Sequence, residues 1–173
     1  FENLEAPDME TYSKALNGGQ YPLSVLAVNE RAAKVYAKGT YGNTMTTNPR
    51  AMDIATTVLN SLTPDIRANI RNKGQEALDK LNALKAELGG LITKVQGTGL
   101  LFSCELDPSF KCYGANSTEE YMRERGIGVI HGGTNSLRFT PHFGITSAEM
   151  DLMISHIRLA LLNGPRKQEA AAA

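Results

Sequence analysis

Lys14 stands in a sequence setting that suits a reactive amine. It follows a short extended run, residues 9–12, and precedes a polar turn that contains Gly18 and Gly19. An amine that forms an imine must be partly desolvated, because only its neutral form attacks a carbonyl group. Glycines allow the backbone to approach a flat ligand closely. On composition alone, however, a solvated surface lysine is the commoner interpretation of such a turn.

Two further polar residues have types and positions that suit anion binding. Thr44 lies in a polar loop just before Asn48-Pro49, a pair that begins helices. A hydroxyl before a helix N-terminus is well placed for an anion, although a local turn bond is the simpler use of a loop threonine. Arg138 lies in a short strand-like run, residues 136–140. Its planar guanidinium suits a bidentate pair with a carboxylate, or an ion pair with a neighbouring acid.

Hydrophobic periodicity predicts the elements that carry these residues. Residues 21–28 form an apolar run bounded by turn signals, which predicts a buried strand. Asn29 and Asn48 are predicted to cap two helices, and a third helix runs from Pro64 to about residue 88, where Gly89-Gly90 ends it. Further strands are predicted at 91–96, 99–106, 127–130 and 136–140, and further helices at 117–125 and 148–162.

The order of the later elements indicates a second fold unit. The pattern ββαββα after a pair of long helices predicts a small α+β domain, with a boundary at residues 86–91. Gly97-Thr98 is the expected turn between its first two strands, Thr118 the cap of its first helix, and Thr146 or Ser147 the cap of its last. The tail from Gly164 onward is expected to be frayed.

Composition and charge narrow the classes of function. Eighteen basic and eighteen acidic residues balance, so no overall field attracts nucleic acid or an anionic membrane. We expect no membrane span and a cytoplasmic protein. Cys104 and Cys112 fit no zinc or redox spacing, and we expect free thiols in a reducing compartment and no metal site. His131 is expected to be a structural or exposed histidine rather than a site residue.

Three segments of the chain resemble one known family, the class III aminotransferases. Residues 7–23, PDMETYSKALNGGQYPL, resemble the family's lysine segment. Residues 41–49, YGNTMTTNP, resemble the loop before its interdomain helix, with departures from the family pattern at positions 41, 43 and 47. Residues 136–151, SLRFTPHFGITSAEMD, resemble its arginine segment, with His142 where a second proline is common.

The resemblance implies a role for each candidate residue. Lys14 would hold pyridoxal 5'-phosphate as a Schiff base and move a proton during the reaction. Thr44, together with Asn43 beside it, would bind the cofactor phosphate across the interface of a homodimer. Arg138 would bind the carboxylate of the substrate. The implied partners are an amino acid or amine donor and a 2-oxo acid acceptor.

The resemblance also implies a fold, which is an α/β fold type I PLP-transferase. Residues 1–50 would be the end of the large cofactor-binding domain, 51–88 interdomain helices, 89–163 the small C-terminal α+β domain, and 164–173 a disordered tail. The family's remaining cofactor contacts lie upstream, so we expect a fragment that is inactive alone. A PLP-dependent aminomutase or racemase, or a non-catalytic dimerisation module, would carry the same segments and stays an alternative.

Overall fold

The computed structural model describes residues 4–39 and 47–167, which divide into two compact units at Thr63 and Pro64. The strands are β1 (Met9–Ser13), β2 (Ser24–Val28), β3 (Ile92–Thr98), β4 (Leu101–Leu106), β5 (Ile130–Gly132) and β6 (Ser136–Phe139). The helices are α1 (Glu30–Ala33), α2 (Pro49–Ser61), α3 (Pro64–Glu87), α4 (Thr118–Arg123) and α5 (Ser147–Asn163). A 3₁₀ turn, Lys14–Asn17, directly follows β1.

The first unit contains a two-stranded antiparallel ribbon of β1 and β2, in register from Met9 opposite Val28 to Ser13 opposite Ser24. The prediction that the apolar run forms a buried strand was wrong about burial, because all five residues of β2 are exposed. A ribbon of two strands has two open faces, and no described residue of this unit covers them. The apolar side chains of β2 therefore lie at the surface.

Asparagine caps begin both described helices of the first unit, as predicted. The Asn29 side-chain oxygen accepts a hydrogen bond from the Ala32 backbone N–H at 3.0 Å. The Asn48 side-chain oxygen accepts one from the Arg50 N–H at 3.0 Å. Each bond satisfies one of the backbone donors that a helix N-terminus leaves unpaired. Asn48 thus fixes where α2 starts, and α2 packs against the 3₁₀ turn that carries Lys14.

The second unit is a four-stranded antiparallel sheet in the order β3-β4-β6-β5, with helices packed on its apolar face. Alternation along β4 places Phe102, Cys104 and Leu106 in the core and the residues between them on the opposite face. Leu137 and Phe139 of β6 join the same core. The predicted α+β arrangement of this part is therefore present, and the described helices of this unit leave one face of the sheet uncovered.

Gly74 brings α3 into direct contact with the turn between β3 and β4. A Cβ atom at position 74 would lie 2.3 Å from the carbonyl oxygen of Gly99. That separation is far shorter than any non-bonded contact, so a side chain cannot be accommodated. Glycine is unfavourable inside a helix, and close packing against the sheet explains why it stands here.

Local details of the second unit differ from the sequence-based expectations. The β3–β4 turn lies at Gly99, which has φ 53°, and not at Gly97. Gly97 is instead required inside β3, because a Cβ there would lie 2.5 Å from the Cβ of Phe102. Ser117, not Thr118, caps α4 by accepting from the Glu120 N–H at 3.1 Å. Thr118 is buried, and its hydroxyl donates to the Lys111 carbonyl.

The described part of the tail packs on the second unit, which differs from the expected frayed end. The Arg166 guanidinium stacks over the Phe110 ring at 3.9 Å and donates to the Ser109 hydroxyl at 2.9 Å. The Lys167 N–H donates to the Ser109 carbonyl at 2.7 Å. A cation over an aromatic face, combined with hydrogen bonds, holds this segment in place. Residues 168–173 lie outside the described residues.

The compact units divide the chain at a different position from the predicted domain boundary. The whole of α3 belongs to the second unit, because its buried residues Ala77, Leu81 and Leu84 are part of that unit's core. The assignment of residues 1–50, 51–88 and 89–163 to the domains of a larger enzyme stays a prediction. Among the described helices, none is long and apolar enough to cross a membrane.

Candidate functional site

The backbone of Lys14 adopts a conformation that is unusual for a residue with a side chain. Ser13 ends β1 in an extended conformation, and Lys14 then turns to φ 57°, in the left-handed region. This conformation costs about 1–2 kcal/mol for a residue other than glycine. Gly18 and Gly19 also have positive φ, which glycine adopts without cost. The strain is thus concentrated at the lysine, and strained residues cluster at functional sites.

An open groove of about 700 Å³ lies beside Lys14. Its wall consists of the end of β1, the glycine turn and the segment that leads into β2, and it includes Ser13, Gly19 and Tyr21. A groove of this volume falls within the usual range for small-molecule sites. Lys14 is exposed, and its amine makes no hydrogen bond or ion pair with any residue in the described ranges. The amine is therefore accessible to a ligand in the groove.

Asn17 ends the same turn and carries a second energetic cost. It is fully buried, and its side-chain N–H donates to the Tyr21 carbonyl at 2.9 Å. Its side-chain oxygen accepts no hydrogen bond from the described residues. An unsatisfied buried acceptor costs about 1–3 kcal/mol. The turn after Lys14 is thus held by the surrounding packing and not by its own local preferences.

Asp8, another residue of the lysine segment, ties β1 to α1. Its carboxylate accepts from the Asn29 side-chain N–H at 2.7 Å and from Arg31 Nε at 2.9 Å. The Arg31 guanidinium, followed by the Asn29 amide, lowers the pKa of the Asp8 carboxyl below its usual value. Because β1 leads directly into Lys14, this connection helps to orient the strand that presents the lysine.

Arg138 lies on β6 in the second unit, on the sheet face that no described helix of this unit covers. It pairs with Ser103 of β4 on one side and with Ile130 of β5 on the other, and Ser103 pairs in turn with Gln96 of β3. Residues that pair directly across antiparallel strands project from the same face. Gln96, Ser103, Arg138 and Ile130 therefore form one row across the sheet.

A hollow of about 440 Å³ opens beside Arg138 on this face. Gln96, Ser103 and Arg138 supply polar groups, and Leu101, more than half exposed, supplies an apolar wall. The Arg138 guanidinium makes no ion pair or hydrogen bond within the described part of the chain. An exposed, unpaired guanidinium beside a hollow fits the predicted role as a carboxylate-binding group.

The other predicted site residues cannot be placed beside these two. Asn43 and Thr44 lie outside the described residues. Lys14 belongs to the first unit and Arg138 to the second, so each has a hollow of its own. Gln96 and Ser103 were not predicted as site residues. The only sequence signal for them is the alternation of core and surface residues along β4, which marks Ser103 as facing away from the core.

His131 has partners within its own unit, in line with the structural role expected of it. Its Nδ1 lies 3.1 Å from a carboxylate oxygen of Glu119, and its ring packs against Tyr113 at a tilt of 37°, with a centroid separation of 4.0 Å. Glu119 is buried and also accepts from the guanidinium of Arg123. Burial of a carboxylate is costly unless it is paired, so His131 and Arg123 compensate Glu119.

The two cysteines are buried free thiols. Burial, with a further contribution from Cys112, raises the pKa of Cys104 to about 12. Burial, followed by the charge of Glu119, raises the pKa of Cys112 to about 12. Because the thiolate is the reactive form, both thiols are poor nucleophiles in the folded protein. No group of metal-binding side chains of sufficient size occurs among the described residues.

Comparison with known proteins gives a consistent result. The model of the family "Aminotransferase class-III" matches residues 3–161. The succinylornithine transaminase of Citrobacter koseri is 31% identical over 155 residues, which are 89% of this chain and 37% of that protein. The ornithine aminotransferase of Plasmodium yoelii superimposes with a TM-score of 0.81 at 26% identity, over 92% of this chain and 42% of that one. The ornithine aminotransferase of Toxoplasma gondii, described with partial occupancy of PLP at its active site, gives 0.78 at 25% identity, over 90% and 37%.

The fold and the lysine segment define a portion of a fold type I PLP-transferase, which confirms the predicted fold class. The chain belongs to the class III aminotransferases, a family of transaminases that depend on pyridoxal phosphate. The chain spans 37% of the length of the curated relative to which it was aligned.

Proposed function

We propose that this chain supplies the cofactor lysine, Lys14, and the carboxylate-binding arginine, Arg138, of a pyridoxal-phosphate-dependent aminotransferase. The enzyme would move an amino group between an amino acid or amine and a 2-oxo acid or aldehyde. The observation that carries this proposal is the strained, unpaired Lys14 beside a groove, at the position where the segment matches the family's lysine. Alone, the chain is expected to be inactive.

The residues around Lys14 fit the cofactor. The groove exceeds the volume of one flat heterocycle with its phosphate. No described residue beyond the chain neighbours of Gly19 lies within 4 Å of the place where its Cβ would be, so the wall is open there. When bound, pyridoxal phosphate supplies an electron sink for the charge left on the substrate after proton loss. Lys14 would hold the group in the resting enzyme, and its amine, once released by the incoming substrate amine, would take the proton from the substrate Cα.

Arg138 and the loop at residues 43 and 44 have binding roles in this proposal. The Arg138 guanidinium pairs with a carboxylate of the substrate through its planar fork. Thr44 and Asn43 bind the cofactor phosphate, and the proposed homodimer places them in the partner's site. The supporting features are the loop's resemblance to the family segment and its position before the Asn48 cap of α2. We also propose a cytoplasmic location.

Borohydride trapping tests the central residue. The full-length protein is loaded with pyridoxal phosphate, its near-ultraviolet and visible absorbance is recorded, and the adduct is reduced and located by peptide mass analysis. Lys14→Ala should give no adduct. Lys34→Ala, which removes another lysine of the same unit, should retain it. An adduct of unchanged yield in the Lys14→Ala protein would contradict the proposal.

Product analysis tests the reaction. Incubation with an isotopically labelled amino donor and a 2-oxo acid should transfer the labelled nitrogen to the 2-oxo acid. Label that stays on the carbon skeleton of the donor, at the same or a neighbouring carbon, would show a racemase or aminomutase and overturn the assignment as an aminotransferase.

A further inference from the structure

We infer that Gln96 and Ser103 bind the same substrate carboxylate as Arg138, so that the carboxylate site is a row of three side chains across β3, β4 and β6. This inference rests on the proposed function, because it assigns further residues to the site at which Arg138 binds substrate. Its basis is the strand register and the hollow that the three residues share.

The register places Ser103 directly between the two longer side chains. Gln96 pairs with Ser103, and Ser103 pairs with Arg138. Neighbouring strands lie about 4.8 Å apart, so Gln96 and Arg138 stand about 10 Å apart on either side of the short serine. Their longer side chains can therefore converge above it. A small ligand held there contacts all three.

The three side chains have unused hydrogen-bond donors. Within the described ranges, neither the Gln96 amide, the Ser103 hydroxyl nor the Arg138 guanidinium donates to another residue. An ionised carboxylate accepts about four hydrogen bonds, and a bidentate arginine uses two of them. The amide and the hydroxyl match the two acceptor positions that remain.

The charges on this face favour an anion at the row. The next row contains Lys94 directly opposite Glu105, and these opposite charges largely offset each other. Arg138 has no such partner, so the row carries a net positive charge. Ile130, which continues the row onto β5, and Leu101 beside it are both exposed and offer apolar surface to the carbon skeleton of the ligand.

Two substitutions in the full-length protein test the row. Ser103→Ala and Gln96→Met each remove one donor while largely preserving side-chain size. Loss of one hydrogen bond should raise the KM for pyruvate, and its dissociation constant in calorimetry, about 3- to 10-fold. The kcat should change much less than KM. With methyl pyruvate, an ester without the carboxylate charge, the KM and the dissociation constant of both variants should equal those of the parent.

Ser136→Ala is the matched control. Ser136 lies on β6 two residues before Arg138, projects from the same sheet face, pairs with Glu105 in the next row and is not part of the hollow. Its removal should leave the KM and the dissociation constant for pyruvate unchanged. Thermal denaturation of every variant identifies any loss of folding, which would affect pyruvate and its ester alike.

The outcomes separate this inference from the proposed function. If Arg138→Ala weakens pyruvate binding and Ser103→Ala and Gln96→Met do not, the inference that Gln96 and Ser103 bind the carboxylate is wrong and the proposed function stands. If the parent binds pyruvate through all three residues but transfers no amino group, the row stands and the proposed function is wrong. If the parent neither binds nor turns over pyruvate or any other member of a panel of 2-oxo acids, both are wrong.

Discussion

The left-handed conformation of Lys14 has an energetic cost that the residues around it must sustain. The lysine follows an extended serine and begins a turn whose last residue, Asn17, is buried with an unsatisfied oxygen. Local preferences therefore do not explain this turn, and the conformation supports the proposed role of Lys14 in presenting an amine to the groove. Because of this strain, Lys14→Gly and Lys14→Ala, which both lack the amine, should differ in stability.

Lys14→Gly should be more stable than Lys14→Ala by about 1 kcal/mol, because glycine adopts φ 57° without the steric cost of a Cβ. Chemical denaturation of the two full-length proteins without cofactor measures the difference. The same pair at Lys34, which has φ −66°, should show the opposite order, because glycine there only adds flexibility to the unfolded chain. An alanine variant as stable as the glycine variant at position 14 would disprove the strain.

A functional residue can be predicted from sequence when its neighbours along the chain form a recognisable segment. Lys14 and Arg138 each stand inside a linear segment with recognisable neighbours. Gln96 and Ser103 do not, because they meet Arg138 only through strand pairing, and the register of three strands is not visible in any one of them. The left-handed lysine was also not predictable, since a lysine is an unfavourable choice for positive φ.

At the scale of elements, the caps of α1, α2 and α5 were predictable, whereas the cap of α4 and the strand ends were not. Asn48 with Pro49, and Thr146 with Glu149 three residues later, mark the starts of α2 and α5, because the capping bonds are local. The β3–β4 turn was assigned to Gly97 because Gly97 and Gly99 look equivalent in sequence. In the structure they differ in backbone, since only Gly99 has a positive φ, and in contacts, which Gly97 makes with Phe102 across the hairpin and Gly99 with Ile70 of α3.

Glu76 joins two helices of the second unit and gives a pH-dependent stability. Its carboxylate lies 2.6 Å from Lys73 Nζ and 2.8 Å from Lys80 Nζ on α3, and it accepts from the Ser147 hydroxyl of α5 at 3.0 Å. These partners, Lys73 first, lower the pKa of Glu76 from 4.5 to about 2. A lowered pKa in the folded state contributes stability above pH 4.5 that is lost as the pH falls toward 2.

Glu76→Gln should therefore lower the free energy of unfolding at pH 7 by about 1–2 kcal/mol, a value reduced from the full pKa shift because the side chain is partly exposed. The variant should lose less further stability than the parent between pH 5 and pH 2. Urea denaturation across this range measures both effects. Glu124→Gln, an exposed carboxylate next to Arg125, serves as control. A parent and a Glu76→Gln variant with parallel pH curves would contradict the role of this carboxylate.

At the scale of the whole molecule, the apolar core is unevenly distributed. The contiguous core lies entirely between Ala77 and Leu161. The described buried residues of the first unit are Asn17, Ala32, Ala51 and Ala55, which are small or polar. A two-stranded ribbon with so little burial is marginal in water. The general α/β and α+β classes were predictable from periodicity and resemblance, but this imbalance appears only when burial is known.

Separate expression of the two units tests this imbalance. Residues 64–167 should unfold in one cooperative transition in urea, because they contain the complete core. Residues 1–63 should show no such transition, and their far-ultraviolet circular dichroism should be that of a mostly unstructured chain. The imbalance would be refuted by a cooperative transition in 1–63 or by its absence in 64–167.

The contact between Gly74 and Gly99 restricts which sequences can adopt this fold. At most helix positions, alanine is the most tolerated replacement of glycine, but at position 74 its single methyl group would meet the Gly99 carbonyl at 2.3 Å. At position 99, a methyl group would meet Ile70 at 3.0 Å on a backbone with φ 53°. In a saturation library selected for folding, codon 74 should be among the most depleted of substitutions in the second unit, together with codon 97, where an added Cβ would lie 2.5 Å from that of Phe102. No helix-propensity scale would identify position 74.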